Sequence, residues 1–294
     1  MSIPGRKTKL LFWIPCFLLG ILVFLVYYGV SQGLSGLAGR AGDGAQAAAA
    51  IALGIGAIVL FSLWERLWDR LGGRSSNNGL PLGRCLPETG KGFLLGIIYF
   101  ILVAGIIALA GCYRIKDVSF DLMPQIRALS MFFLTAACEE IIFRGILFKM
   151  IDEQFNTVVA FAVSAIIFGA AHLTNPGATW WAGLAIAIEA GIMLSAAYKY
   201  SGTLWMPIGI HWAWNYMQGN ILGFAVSGGN AGESIFIPEI TGPDIITGGP
   251  FGAEASIVAV IIGSILSILL IVSWLRSNRS NRSNCSDRSN RHSR

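Results

Sequence analysis

Apolar residues run along this chain in long blocks, broken by short stretches rich in Gly, Pro, Asn and Ser. Eight blocks are long enough, or nearly so, to cross a hydrocarbon layer, which takes about 20 apolar residues in a helix. They fall near 10–32, 46–68, 92–113, 124–150, 156–174, 179–199, 203–222 and 254–275. The intervening stretches have loop chemistry. The pattern predicts an all-α fold, a polytopic transmembrane bundle of about eight helices. A soluble bundle is excluded by composition: of 294 residues, 54% are hydrophobic and 13% charged, against about 25% charged in soluble domains. Only a bilayer solvates that much apolar surface.

The first block, from Leu10 to about Val30, follows Arg6, Lys7 and Lys9. It is too long for a signal-peptide core and no cleavage pattern follows it, so it reads as a retained span. Three regions are expected: N-terminal spans over 1–123, a membrane core over 124–276, and a tail over 277–294. The tail repeats Ser-Asn-Arg and is expected to be disordered, touching anionic lipid. His292 lies there, with no assigned chemistry.

The net charge of +5 gives topology rather than a nucleic-acid partner. With eight spans, Arg66, Arg70, Arg74, Arg84, Lys91, Lys149, Lys199 and the tail arginines through Arg294 share one side with the N-terminal cluster. Arg40, Arg114, Lys116 and Arg127 are left on the other. The positive-inside rule then makes both termini cytoplasmic. The stretch 223–252 has Glu233, Glu239 and Asp244 but no Lys or Arg, and reads as external. Five scattered cysteines without a CxxC argue against a disulfide framework or a zinc ribbon. Cys138 reads as a small packing residue.

The chemistry is concentrated in the fourth block, at Cys138-Glu139-Glu140-Ile141-Ile142-Phe143-Arg144. An ionised residue at mid-span costs about 2.5–3.5 kcal/mol and usually faces a cavity or a partner. Glu140 and Arg144 are i,i+4 neighbours and can pair. Glu139 points roughly 100° away. A purely structural ion pair, with Glu139 reaching toward water, explains this stretch equally well on its own. Two further pairs shift the balance. Phe168 and His172 close the fifth block, with Phe168 expected to pack. His211 and Asn215 share a face of the seventh and offer two donors to one point, as a developing oxyanion requires. A carboxylate, a histidine and a His/Asn pair suffice for peptide hydrolysis without a Ser or Cys nucleophile. No HExxH is present, and Ser195 has no base beside it in sequence.

Glu139-Glu140-x-x-x-Arg144, Phe168-x-x-x-His172 and His211-x-x-x-Asn215, in that order, resemble the three motifs of the CAAX prenyl protease-like family, which includes type II CAAX endopeptidases and bacteriocin-processing relatives. The stretch from Tyr198 to His211 resembles the lead-in to the third motif. The stretch from Thr241 to Glu254 is similar to a loop of bacterial members. The resemblance covers about 125–255. It implies an intramembrane endopeptidase acting on a peptide or protein substrate, in a bacterial-type plasma membrane, from a membrane-embedded cavity. It implies that Glu139 and His172 activate water, that His211 and Asn215 form the oxyanion hole, and that Glu140, Arg144 and Phe168 support them. No cofactor is expected. A zinc-dependent version held by Glu139, His172 and His211 is the alternative. A non-catalytic scaffold or bacteriocin-immunity protein of the same fold is a rival reading, as is a transporter relaying protons through Glu139, Glu140, Glu189 and Arg144. Glu189, in the sixth block, is a candidate for the same cavity. Trp180, Trp181 and Trp205 read as interfacial anchors, and Trp212 and Trp214 as anchors or pocket walls.

Overall fold

The computed structural model describes residues 6–70, 79–230 and 232–292, with the backbone alone for 6–13 and 281–292. Arg74 and Arg294 lie outside the described residues, as do the side chains of Arg6, Lys7, Lys9 and His292.

Each predicted block is helical. The helices are α1 (Arg6–Ala38), α2 (Asp43–Arg70) and α3 (Cys85–Leu109). Then comes α4, which runs from Leu122–Glu140 through a π-helical stretch, Ile141–Phe148, into Lys149–Gln154. Next is α5 (Thr157–Ala171). Helix α6 joins Trp180–Ile186, a π-helical Ala187–Ile192 and Met193–Ser201. Helix α7 joins Trp205–Tyr216 to a π-helical Met217–Ile221. The last, α8, spans Ile257–His292. Among the described residues, six of the helices are long and apolar enough to cross a membrane. The protein is therefore an integral membrane protein with an all-α bundle. The two not in that set are α4 and α7. They trade apolar length for polar side chains and lie inside the bundle, with Trp205–His211 buried throughout.

The structure departs from expectation at one place. The all-α pattern omits a small antiparallel sheet, β1 (Tyr113–Val118) with β2 (Phe236–Ile240), in register Tyr113↔Ile240 through Val118↔Phe236. Backbone between spans still needs hydrogen-bond partners, and these two loops supply each other. Their pairing puts the loops after α3 and α7 on one side of the bundle. At the C-terminal end, α8 continues through the Ser-Asn-Arg repeat to His292. Extending a helix already nucleated in the span avoids the nucleation cost.

Close helix crossings set the site. On α3, a Cβ added at Gly92 would lie 2.2 Å from Met206 O, and one at Gly96 2.6 Å from Ile210 O. On α7, Gly209 is equally close to Thr89 O. Small residues spaced by four let backbones touch where lipid gives no hydrophobic driving force. This contact fixes α7, and hence His211 and Asn215, against the rest of the bundle. Gly169 on α5 meets the Gly183 carbonyl on α6 in the same way.

Ion pairs confirm that basic ends cluster. Lys149 Nζ is 2.6 Å from Glu65 Oε1 at the end of α2, and Lys199 Nζ is 2.8 Å from Asp152 Oδ2. The ends of α2, α4 and α6 thus share one face. Arg127 pairs with Asp43 at 3.0 Å, at the other ends of α4 and α2.

Candidate active site

The acidic pair ends the α-helical part of α4, just where the π-helical turn begins. π-bulges occur frequently at functional sites because they re-aim side chains within a helix. Glu140 and Arg144 are both fully buried. Arg144 Nη1 donates to Glu140 Oε1 at 2.9 Å. Its Nη2 donates to the carbonyls of Ala190 and Gly191, at 2.9 and 3.2 Å, in the π-helical part of α6. Its guanidinium lies 4.4 Å from the Phe168 ring centroid. The expected pair therefore exists and is extended by two carbonyls of α6 and a ring. A buried charge needs such partners.

Glu140 Oε1 has a second partner, His211 Nδ1, at 2.9 Å. The carboxylate accepts there, so Nδ1 carries the proton and Nε2 is left to face the cavity. That Nε2 lies 3.9 Å from Glu139 Oε2. His211 thus stands between the two carboxylates, one bonded and one across a gap.

His172 closes α5 and begins a short 3-10 turn, His172–Thr174. Its Nδ1 is 2.7 Å from Phe168 O. A carbonyl can only accept, so Nδ1 is the donor and Nε2 keeps its lone pair. Phe168 stacks obliquely on the His172 ring, with centroids 4.7 Å apart, and lies edge-on to His211 at 6.4 Å. It packs, as expected, and its backbone orients the histidine.

Glu139, His172, His211 and Asn215 all line one cavity of about 540 Å³. Its other walls include Leu25, Phe132, Ile142 and Phe143 on the apolar side. On the polar side Asn175, Ser227 and Asn230 contribute. The side chain of Asn215 makes no hydrogen bond to any described residue, so its amide is free for a ligand. Glu139 Oε2 is buried and likewise without a hydrogen bond among the described residues. Glu139 Oε1 accepts from Tyr28 Oη at 3.1 Å. Tyr28, on α1, also lines the cavity, and nothing in the motif pattern singles it out.

The roof over the cavity comes from the stretch expected to be external. Ser227 is the one described non-glycine residue with positive φ, at 47°. Its N–H and its Oγ both donate to Glu254 Oε1. Glu254 Oε2 accepts from Trp214 Nε1 at 3.1 Å. Glu254, fully enclosed, thus ties the strained turn to α7. Strain of this kind persists where surroundings over-determine it. A side chain at Gly228 would run into Pro176 O, so the turn sits directly on the loop after His172.

Several expectations are corrected by this geometry. Glu189 does not line the cavity. It is fully buried between α3 and α8, accepting from Tyr99 Oη at 2.7 Å. Trp212 and Trp214 do not wall the pocket either. Trp212 donates to Leu129 O, and Trp214 stacks on Tyr99 with centroids 4.7 Å apart. Both brace α7 from behind. Cys138 is buried off the cavity, and Ser195 donates to Gly191 O.

A zinc site would need Glu139, His172 and His211 to converge. No group of three His, Cys, Asp or Glu side chains among the described residues is arranged to hold a metal ion. His211 Nδ1 is committed to Glu140, which leaves its Nε2 toward the cavity.

Fold and site together define an integral membrane protein with a carboxylate–histidine cavity built between its helices. Residues 122–217 match the family model described as Rce1-like, type II CAAX prenyl endopeptidase Rce1-like. The match supports the CAAX protease-like family that the three motifs imply, and it spans all of them. No curated protein and no solved structure matches the chain.

Proposed function

We propose that this chain is an intramembrane endopeptidase that hydrolyses peptide bonds with a water activated by Glu139. In this reading the water sits between Glu139 Oε2 and His172 Nε2, each with a free lone pair. Glu139 takes a proton as the water oxygen attacks the scissile carbonyl carbon. The carbonyl oxygen, now negative, accepts from Asn215 Nδ2 and from His211 Nε2. For His211 to donate there, its ring must carry both protons, and the two carboxylates beside it balance that charge. Glu139 then passes its proton to the leaving amine as the C–N bond breaks. Glu140, Arg144 and Phe168 hold the histidines and touch no substrate.

The observation that carries this reading is convergence. Glu139, His172, His211 and Asn215 come from three helices and meet on the wall of a single cavity. Two of the polar groups they present there, the Asn215 amide and Glu139 Oε2, have no hydrogen-bond partner among the described residues. A structural ion pair needs no cavity lined by two histidines and an amide, and a transport relay would use Glu189, which lies elsewhere. The substrate is a peptide or protein reaching the cavity within the membrane. We place both termini on the cytoplasmic face of a bacterial-type plasma membrane, because the basic ends of α2, α4 and α6 cluster together.

The test is cleavage of a peptide library by purified protein, comparing wild type with Glu139→Gln, His172→Ala and His211→Ala, with and without chelator. Cleavage by wild type that is indifferent to chelator and lost in all three variants is expected. Cleavage that survives Glu139→Gln overturns the mechanism.

A further inference from the structure

We propose that Tyr28 is a positioning residue for Glu139, so that α1, which lies outside the matched family segment, completes the active site. The inference rests on the endopeptidase reading above and names a residue that reading does not use.

Helix α1 is mostly lipid-facing, with Leu18, Leu22, Leu25 and Val26 exposed. Its polar residues form an exception with a regular pattern. Tyr28 Oη donates to Glu139 Oε1 at 3.1 Å. One turn on, Gln32 Nε2 donates to Thr135 Oγ1 at 3.2 Å. Another turn on, Ser35 Oγ meets Met131 Sδ at 2.9 Å. Positions 28, 32 and 35 thus face 139, 135 and 131 in antiparallel register. Spacings of three and four keep such residues on one face of each helix. A polar seam of three contacts is far more specific than apolar packing, because each unmet polar group in a span is costly.

The seam ends inside the cavity, where Tyr28 and Glu139 both line the wall. A phenylalanine at position 28 would fill nearly the same volume, so the added feature of tyrosine is the hydroxyl. That hydroxyl holds Oε1 and stops the carboxylate from rotating. Oε2 is left as the one oxygen of Glu139 free to take the proton from water, 3.9 Å from His211 Nε2. Holding a catalytic group in its reactive geometry is a recognised source of rate.

Two measurements test this with the full-length protein in detergent micelles. The first is kinetics of Tyr28→Phe on a peptide that wild type cleaves. We expect kcat to fall about tenfold with KM within about twofold and an unchanged melting temperature, the pattern for loss of an interaction made in the transition state. The second needs no activity. The rate at which dicyclohexylcarbodiimide labels Glu139 is read by mass spectrometry. It should rise severalfold in Tyr28→Phe, because Oε1 loses its donor, and less in Gln32→Ala, which loosens the seam one turn away. Unchanged kcat with unchanged labelling overturns the role of Tyr28 and leaves the endopeptidase reading standing. If wild type cleaves nothing, the endopeptidase reading fails, and the labelling rates alone decide whether Tyr28 holds Glu139.

Discussion

Two carboxylates lie deep among the helices, and each is held by a tyrosine. Glu139 accepts from Tyr28 at 3.1 Å, and Glu189 accepts from Tyr99 at 2.7 Å. Each also lies at or beside a π-helical stretch. The likeness ends there. Glu139 lines a cavity and has His211 across a gap. Glu189 is sealed, with no cation beside it among the described residues, and its tyrosine also reaches the Ala259 carbonyl. One carboxylate is placed where a substrate can arrive. The other ties α3, α6 and α8 together. An acidic residue in a membrane span is therefore a pointer to function only when a cavity and a second titratable group accompany it.

Glu140 sharpens the contrast most, since it serves the open site without touching the cavity. Glu140→Ala removes the partner of both Arg144 and His211 and leaves a buried cation unpaired. We expect a loss of about 3–5 kcal/mol, as for other broken buried pairs, read by denaturant unfolding in micelles. A loss below about 1 kcal/mol would mean that the carbonyls of Ala190 and Gly191 suffice for Arg144.

Asn215 comes next. Asn215→Ala deletes an amide with no structural bond to lose. It should leave the melting temperature unchanged and lower kcat by about 10²–10³, the range for an oxyanion donor. Equal losses in both would assign Asn215 to packing.

A smaller effect is expected away from the cavity, at Glu153 beyond the π-helical stretch of α4. Burial pushes its carboxyl up to about 7, with nearby Lys149 opposing. A raised acid pKa means the folded state prefers the proton. Stability is then greatest below the unfolded pKa, near 4.5, and declines as pH rises toward 7. Glu153→Gln should relieve this, adding about 1 kcal/mol at pH 8 after screening and nothing at pH 4. A pH-independent effect would point to packing instead.

The eight helices were legible because the bilayer imposes one length on every span and removes water as a hydrogen-bond partner. Glu140–Arg144 was legible because helical spacing alone makes i,i+4 residues neighbours, and a wider π turn did not separate them. The two histidines could be linked only by resemblance, since nothing local brings α5 to α7. Tyr28 was not legible at all: a tyrosine in an apolar run looks like any other, and its meaning comes from the register of α1 against α4. The β1–β2 pair was hidden for the same reason, as each strand is short and finds its partner more than a hundred residues away. The place of Glu189 stayed open because helical spacing gives a direction on one helix but not the neighbour it faces.

The two carboxylates also give the most direct test. Glu139→Gln and Glu189→Gln make the same change of one atom in the same bundle, and glutamine can still accept from each tyrosine. Cleavage of one peptide by the two variants should be compared with wild type at matched melting temperature. Activity in Glu139→Gln should fall about 10²–10⁴-fold, the usual contribution of a catalytic acid–base, while Glu189→Gln keeps activity within about twofold. Equal activities, or a larger loss at Glu189, would contradict the assignment of the chemistry to Glu139.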